Sequence, residues 1–226
     1  MRSTVALKAA MAMSGLIMVL YLLAHMYGNL KVFSGQLAFD GYARHLRTVG
    51  EPFLPFAGAL WIIRVVLLAS VLIHGYAAVV LWRRARAVTG GRGGQRYEST
   101  RARRGVQRTY ASFTLRWGGV VIALFIVYHL LHLTWNTIHP GGASDSPYER
   151  VVGGFQVWWV TLSYTGALLA LGFHLRHGFW SALADLGADT SVARRRHLNI
   201  VATVVALVIT VGFLVPPFAI VFGWVS

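Results

Sequence analysis

Five apolar stretches dominate this chain: Ala9–Leu30, Phe56–Trp82, Trp117–Ile138, Phe155–Leu175 and Leu198–Val221. A helix needs about 20 apolar residues to cross a hydrocarbon core. In lipid, helices and closed barrels are the only structures that satisfy every backbone polar group. The expected fold is therefore an all-α integral membrane protein with five transmembrane helices. Composition agrees: soluble domains carry about 25% charged residues, whereas this chain has 12%, with 56% hydrophobic. Little sequence separates the spans, so all 226 residues read as one membrane domain with no soluble module. The first span resembles a signal peptide only in position. Its apolar run is too long, and no small-residue cleavage site follows.

A net charge of +14 invites a nucleic-acid reading, but its distribution argues otherwise. Arg2 and Lys8 precede span one, ten arginines lie between Arg83 and Arg116, and Arg194, Arg195 and Arg196 precede span five. The other loops hold Lys31, Arg44, Arg47 and Arg150, offset by Asp40, Glu51, Asp145 and Glu149. This is the positive-inside asymmetry. It puts the N-terminus and the long basic loop in the cytoplasm and the C-terminus outside. Anionic headgroups or an acidic docking partner account for the charge more simply than nucleic acid, which is not expected as a partner.

The loops carry their own signals. The linker Arg83–Ser112 is rich in Gly and Arg and is expected to be mobile near Gly90–Gly94. Phe39 to Arg47 suits a short interfacial helix with its aromatics toward lipid. His139–Gly154 contains Pro-Gly-Gly and Asp-Ser-Pro, both turn signals.

Four spans carry histidine: His25, His74, His129 with His132, and His174 with His177. Ionisable groups inside a bilayer are costly and usually mark function. Topology converts these positions into heights. His25 lies 17 residues past Lys8, about 25 Å above the inner edge. His129 and His132 lie 13 and 16 residues past Arg116, about 20 and 24 Å up. His74 lies nine residues before Arg83, about 13 Å up, and His174 and His177 fall near the cytoplasmic end of span four. Two layers result, each able to ligate one haem from both faces. A proton relay is a weaker reading because four helices carry His in matched pairs, and a non-haem metal is weaker still, because zinc needs its ligands at one height and no carboxylate lies in either layer. With no cysteine, a C-x-x-C-H attachment and thiolate-held clusters are excluded, so any haem is non-covalent.

Small residues help choose between neighbours. Gly166, Ala170 and Gly178 form a stripe with His174 that leaves room for a flat macrocycle, whereas His177 has bulky neighbours and suits a contact to a haem propionate. Gly15 precedes His25 by ten residues and Gly119 precedes His129 by ten, a weak internal repeat. That spacing favours His129 over His132. It also puts both glycines at the inner layer, where they could admit the inner haem. Two such hairpins could pack as a four-helix haem-binding bundle with span five outside it. Arg64, ten residues outward of His74, suits an outer propionate or a quinone carbonyl. Arg116 and Arg176 suit the inner haem, with snorkelling to headgroups as the alternative.

These residues together resemble a known family. Leu23 to Asn29 around His25, Leu72 to Tyr76 around His74, Gly119 with Tyr128 and His129, and Phe173 to Ser181 around His174 are similar to the dihaem cytochrome b membrane-anchor subunit of succinate:menaquinone oxidoreductases and fumarate reductases. The resemblance implies that His25 and His129 hold an outer haem b, and His74 and His174 an inner one. It implies a multi-pass protein of the bacterial cytoplasmic membrane, docked to a flavoprotein (FAD) subunit and an iron–sulfur subunit on the cytoplasmic face. Such a subunit does not bind succinate. It passes electrons from the iron–sulfur subunit through two haems to menaquinone. Glu51, at the outer mouth of span two, is the candidate acid for proton transfer at an outer quinone site. Two other readings share parts of the pattern: a haem-b subunit of a hydrogenase or formate dehydrogenase type of enzyme, and a transporter using a histidine relay.

Overall fold

The computed structural model describes residues 3–90, 105–188 and 190–226. Among them the fold is all-helical, without a strand. Helix α1 spans Thr4–Leu30 and runs through a 3-10 turn, Lys31–Ser34, to α2, Gln36–Thr48. Helix α3 spans Gly58–Gly90, and α4 spans Gly105–His129 and continues as a π-helical turn over Leu130–Thr134. The short α5, Pro147–Gln156, precedes α6, Trp158–Asp185, and α7, Val192–Val221, closes the chain. The Gly-rich stretch expected to be mobile lies, beyond Gly90, outside the described residues.

The long helices run antiparallel and leave the termini at opposite ends. At the basic end Lys8 pairs with Asp185 at 3.0 Å, and Arg84 donates to Thr4 Oγ1 at 2.9 Å. At the other end α2, α5 and the C-terminus form a polar cap. Gln36 Nε2 donates to Glu149 Oε1 (2.9 Å), Ser146 Oγ to Asp40 Oδ2 (2.6 Å) and Tyr148 Oη to the Ser226 carbonyl (3.0 Å). Hydrogen bonds from Ser144 (2.6 Å) and from Gln36 draw the Glu149 carboxyl below its usual range.

Four described helices or helical runs are long and apolar enough to cross a membrane: Thr4–Ser34, Gly58–Ala87, Phe113–Thr134 and Val192–Val221. Helix α6 is also 28 residues long but is not one of these four. It packs against α1, α4 and α7, so its polar groups have protein neighbours. The expected fourth span, Phe155–Leu175, needs correction. Phe155 belongs to α5, the chain breaks at Val157, and α6 runs ten residues past Leu175. This places His174 eleven residues from the end of α6, about 16 Å by helical rise and close to the height expected for His74. Helix α5 itself replaces an expected loop. Ser146 caps it, accepting from the Glu149 N–H, and Pro147 takes the first turn, where its missing N–H costs nothing.

The aromatics of α2 also differ from expectation. Phe39 packs against Tyr148, and Tyr42 lies against Gly28 and Tyr27, so both face protein rather than lipid. The cap offers an apolar floor of Val32, Val151, Val152 and Phe155, which outcompetes lipid contact.

Helices α1, α6 and α7 form the central seam around Val19, Leu175, Ala206 and Ile209. Small residues permit the close approach: a Cβ on Gly172 would meet Thr210 Oγ1 at 2.5 Å, and one on Gly212 would run into Met26. Helix α3 packs on α1 and α2, and α4 packs on α6. No packed face joins α3 to α4 among the described residues, so a gap opens between them. Helix α7 lies behind α1 and α6, outside the four that surround this gap.

Candidate functional site

Two histidine pairs face each other across the diagonals of the four-helix set. His25 of α1 meets His129 of α4 with ring centroids 5.8 Å apart and planes at 83°. His74 of α3 meets His174 of α6 at 6.2 Å and 59°. A nitrogen–metal bond of about 2.0–2.1 Å, the zinc value, plus the ring radii puts opposed imidazole centroids roughly 6–6.5 Å apart on one ion. Both separations sit near that range. Among the described residues no three His, Asp or Glu side chains converge, so the arrangement offers paired ligands and not a closed protein cage.

Hydrogen bonding selects which nitrogen each ring presents. His74 Nδ1 lies 3.1 Å from the Met11 carbonyl. Donation there leaves Nε2 as the available lone pair, the usual outer-shell device for orienting a ligating histidine. Among the described residues His174 Nδ1 is buried without a hydrogen-bond partner, while the Leu115 backbone lies within reach of the ring. Tyr164 Oη sits 2.9 Å from His132 Nδ1 and 3.4 Å from His129 Nδ1. A hydroxyl has one proton to give. Donating it to His132 and accepting from His129 N–H serves both rings and leaves His129 Nε2 free. His25 stacks on Tyr21 at 5.3 Å and touches Phe213 at 5.6 Å.

The two repeat glycines lie at the inner pair. A Cβ on Gly15 would stand 3.5 Å from His74 Cε1 and Nδ1, and one on Gly119 would stand 3.5 Å from His174 Cε1. Each glycine thus receives the edge of an imidazole belonging to its own hairpin partner. The stripe on α6 is less uniform: Gly166 faces open space, whereas the Ala170 backbone lies against Gly118 of α4.

The second histidines have other partners. His132 is 2% exposed, stacks on Tyr128, and would meet a Cβ on Gly154 at 2.6 Å from its Nε2. Its Nδ1 is bonded to Tyr164 and its Nε2 is packed against the Gly154 backbone. The π turn sets this orientation, with Trp135 N–H donating to the Leu130 carbonyl at 2.8 Å. His177 bonds within its own helix, Nδ1 donating to the Phe173 carbonyl at 3.1 Å.

The charged candidates lie on the margins. Arg64 is exposed on α3, its guanidinium 4.9 Å from the Trp61 ring centroid and within electrostatic reach of Tyr21. Arg116 is exposed on α4, three residues before Gly119. Arg176 lines a groove with Arg196 and Asn199 of α7, away from the gap between α3 and α4. Glu51 is exposed in the loop between α2 and α3.

Two residues were not singled out from the sequence. Trp82 Nε1 and Trp180 Nε1 are buried without hydrogen-bond partners among the described residues, on the same two helices as the inner pair and toward the basic end. Indole N–H groups so placed suit acidic acceptors. Their only sequence signal was a tryptophan near a span end, which reads first as an interfacial belt. Opposed imidazoles, a buried imidazole nitrogen without a partner, glycine cradles and unpaired donors together fit a bis-histidine haem.

Comparison with known proteins gives one result. No match is found among curated proteins or among solved structures. The family model of the succinate dehydrogenase/fumarate reductase transmembrane subunit matches residues 98–211, which include α4, α5, α6 and most of α7. This chain therefore belongs to the family of succinate dehydrogenase/fumarate reductase transmembrane subunits, and is a multi-pass membrane protein.

Proposed function

We propose that this chain is the cytochrome b anchor of a succinate:menaquinone oxidoreductase, with five spans, the basic end in the cytoplasm and the cap outside. The observation that carries the reading is the pair of facing histidines on each diagonal, at 5.8 and 6.2 Å. His25 and His129 would hold an outer haem b, and His74 and His174 an inner one. When bound, each haem supplies a one-electron site, so the pair would connect the cytoplasmic face to the outer half of the membrane.

The chain's own residues do the rest. The Met11 carbonyl and Tyr164 hydroxyl orient His74 and His129. Gly15 and Gly119 keep α1 and α4 clear of the inner rings. Trp82 and Trp180 offer buried N–H donors to the inner haem's carboxylates. The basic end suits docking of the iron–sulfur subunit, which carries the flavoprotein. Glu51, exposed on the cap side, would deliver protons to menaquinone from outside. Protons from outside and electrons from inside would couple the reaction to the membrane potential, worth about 2.3 kcal/mol per charge per 100 mV.

A dithionite-reduced minus oxidised spectrum of the purified chain tests this, with two b-type haems expected. His25→Ala or His129→Ala should each remove one haem and spare the other. Loss of both, or of neither, would overturn the assignment of pairs.

A further inference from the structure

We propose that the groove between α6 and α7 at the basic end binds an anionic phospholipid of the adjoining leaflet. This rests only on the chain lying in a membrane and is independent of the haem reading.

The groove has a volume of about 500 Å³ and is lined by Arg176, Arg196, Asn199, Ile200, Thr203 and Val204. On α7 these residues recur at three- and four-residue intervals, so they form one stripe opposite Arg176. The stripe is graded. Arg196 and Asn199 lie nearest the basic end, and Ile200 and Val204 follow, 53% and 51% exposed. Leu207, Val208 and Val211 continue the exposed apolar surface farther along the helix. A cationic notch opening onto an apolar track matches a phosphate headgroup with its acyl chains.

Charge points the same way. Among the described residues no carboxylate lines the groove, and Asp185 at this end is held by Lys8. The Thr203 hydroxyl is spent on the Asn199 carbonyl at 2.8 Å. Arg176 Nη1 reaches the adjacent His177 Nε2 at 3.4 Å, which leaves its other donors, and Arg196 is exposed; each guanidinium carries a fork of donors that suits a phosphate. Arg176 sits nine residues inside the end of α6, about 13 Å by helical rise. A half-buried charge in a groove at that depth is costly unless a counter-charge reaches it. A headgroup drawn into the groove would supply one. An acidic protein segment would satisfy the arginines but would leave the apolar track uncovered.

The test uses the delipidated full chain in detergent, titrated with phosphatidylglycerol or phosphatidylcholine of identical acyl chains and read by native mass spectrometry. Wild type should retain phosphatidylglycerol preferentially. The double variant R176Q/R196Q should bind it about 30-fold more weakly, the weight of two basic side chains near an anionic surface. Should the double variant fail to fold, R196Q alone, at an exposed position, should weaken binding about fivefold. Equal retention of the two lipids by wild type, or unchanged binding in the folded variants, would overturn the proposal. So would displacement by soluble glycerol phosphate at matched concentration, which would mark a free-phosphate site. Expulsion of the lipid on assembly with the partner subunits would assign the groove to a protein interface instead.

Discussion

The hydrogen bond between Tyr164 and His132 lends itself to a quantitative test. Both side chains are buried, at 5% and 2% exposure, and lie 2.9 Å apart on different helical segments. Tyr164→Phe keeps the ring, and with it the edge-to-face contacts to Phe125 and Phe155, both at 4.8 Å. Only the hydroxyl is lost. His132→Ala also removes the bond, but opens a cavity beside Gly154. The single variants therefore mix several costs, and a double-mutant cycle isolates the shared one. Interhelical hydrogen bonds in membranes couple by about 0.6 kcal/mol on average and about 1.7 at most. This one is short and fully enclosed, so the coupling should lie between those values, roughly a three- to seventeenfold change in the unfolding equilibrium. Reversible unfolding in mixed micelles titrated with dodecyl sulfate, followed by tryptophan fluorescence, measures it. Coupling within about 0.3 kcal/mol of zero would be ordinary additivity. The Tyr164–His132 link would then not hold, and the assignment of the Tyr164 proton that frees His129 Nε2 would fall with it.

Three further outcomes follow from single contacts. Gly154→Ala would drive a Cβ to 2.6 Å from His132 Nε2 and should cost about 1–3 kcal/mol by overpacking, whereas Gly166→Ala, facing open space, should be near neutral in the same unfolding assay. Gly15→Ala places its Cβ at ordinary contact from His74 and should keep the inner haem, whereas Gly15→Leu should displace the ring and lose it; a haem-count assay showing no difference would contradict the cradle. The Glu149 carboxyl titrates below its ordinary value of 4.5 because Ser144 and Gln36 donate to the ionised form. Its contribution to the cap is therefore complete above that value and fades as pH falls through the lowered one. Hydrogen exchange at Tyr148 and Glu149 should show a loss of protection on acidification that Glu149→Gln abolishes.

How far the sequence could be read varied with the kind of signal. The all-helical membrane fold rests on hydropathy, which acts over many residues and survives errors of a few positions; of the five expected spans, four described helices are long and apolar enough to cross a membrane. The cap depends on local competition and was misread. Ser146-Pro-Tyr-Glu149 carries both a turn signal and a helix N-terminus signal; the reciprocal bonds to Asp40 and Gln36 decide for the helix, and they come from a segment more than a hundred residues away. The aromatics of α2 were assigned to lipid for a similar reason: a periodicity shows that a face is apolar without saying what covers it. The π turn at Leu130–Thr134 has no periodic signature, yet it sets where His132 points. Arg176 is assigned to the inner haem by its depth near the inner edge, and depth does not say which face of a helix a side chain takes; here it lines a groove with Arg196 and Asn199.

The repeated ten-residue interval now has a physical reading. Ten residues of helix rise about 15 Å. In an antiparallel hairpin, a residue ten positions before one histidine lies level with the partner helix's histidine only if the two layers are separated by that rise. Gly15 meets His74, and Gly119 meets His174, while His25 and His129 meet each other one interval higher. Arg64, ten residues outward of His74 on α3, lies within electrostatic range of Tyr21, which stacks on His25, so the same interval brings a third helix to the height of the outer pair. A coincidental glycine would have no reason to face the imidazole of its hairpin partner, and two of them do so at the same 3.5 Å distance. The interval therefore records the vertical separation of the two histidine pairs. Each hairpin contributes one histidine to each layer, so neither pair can form until both hairpins have packed together.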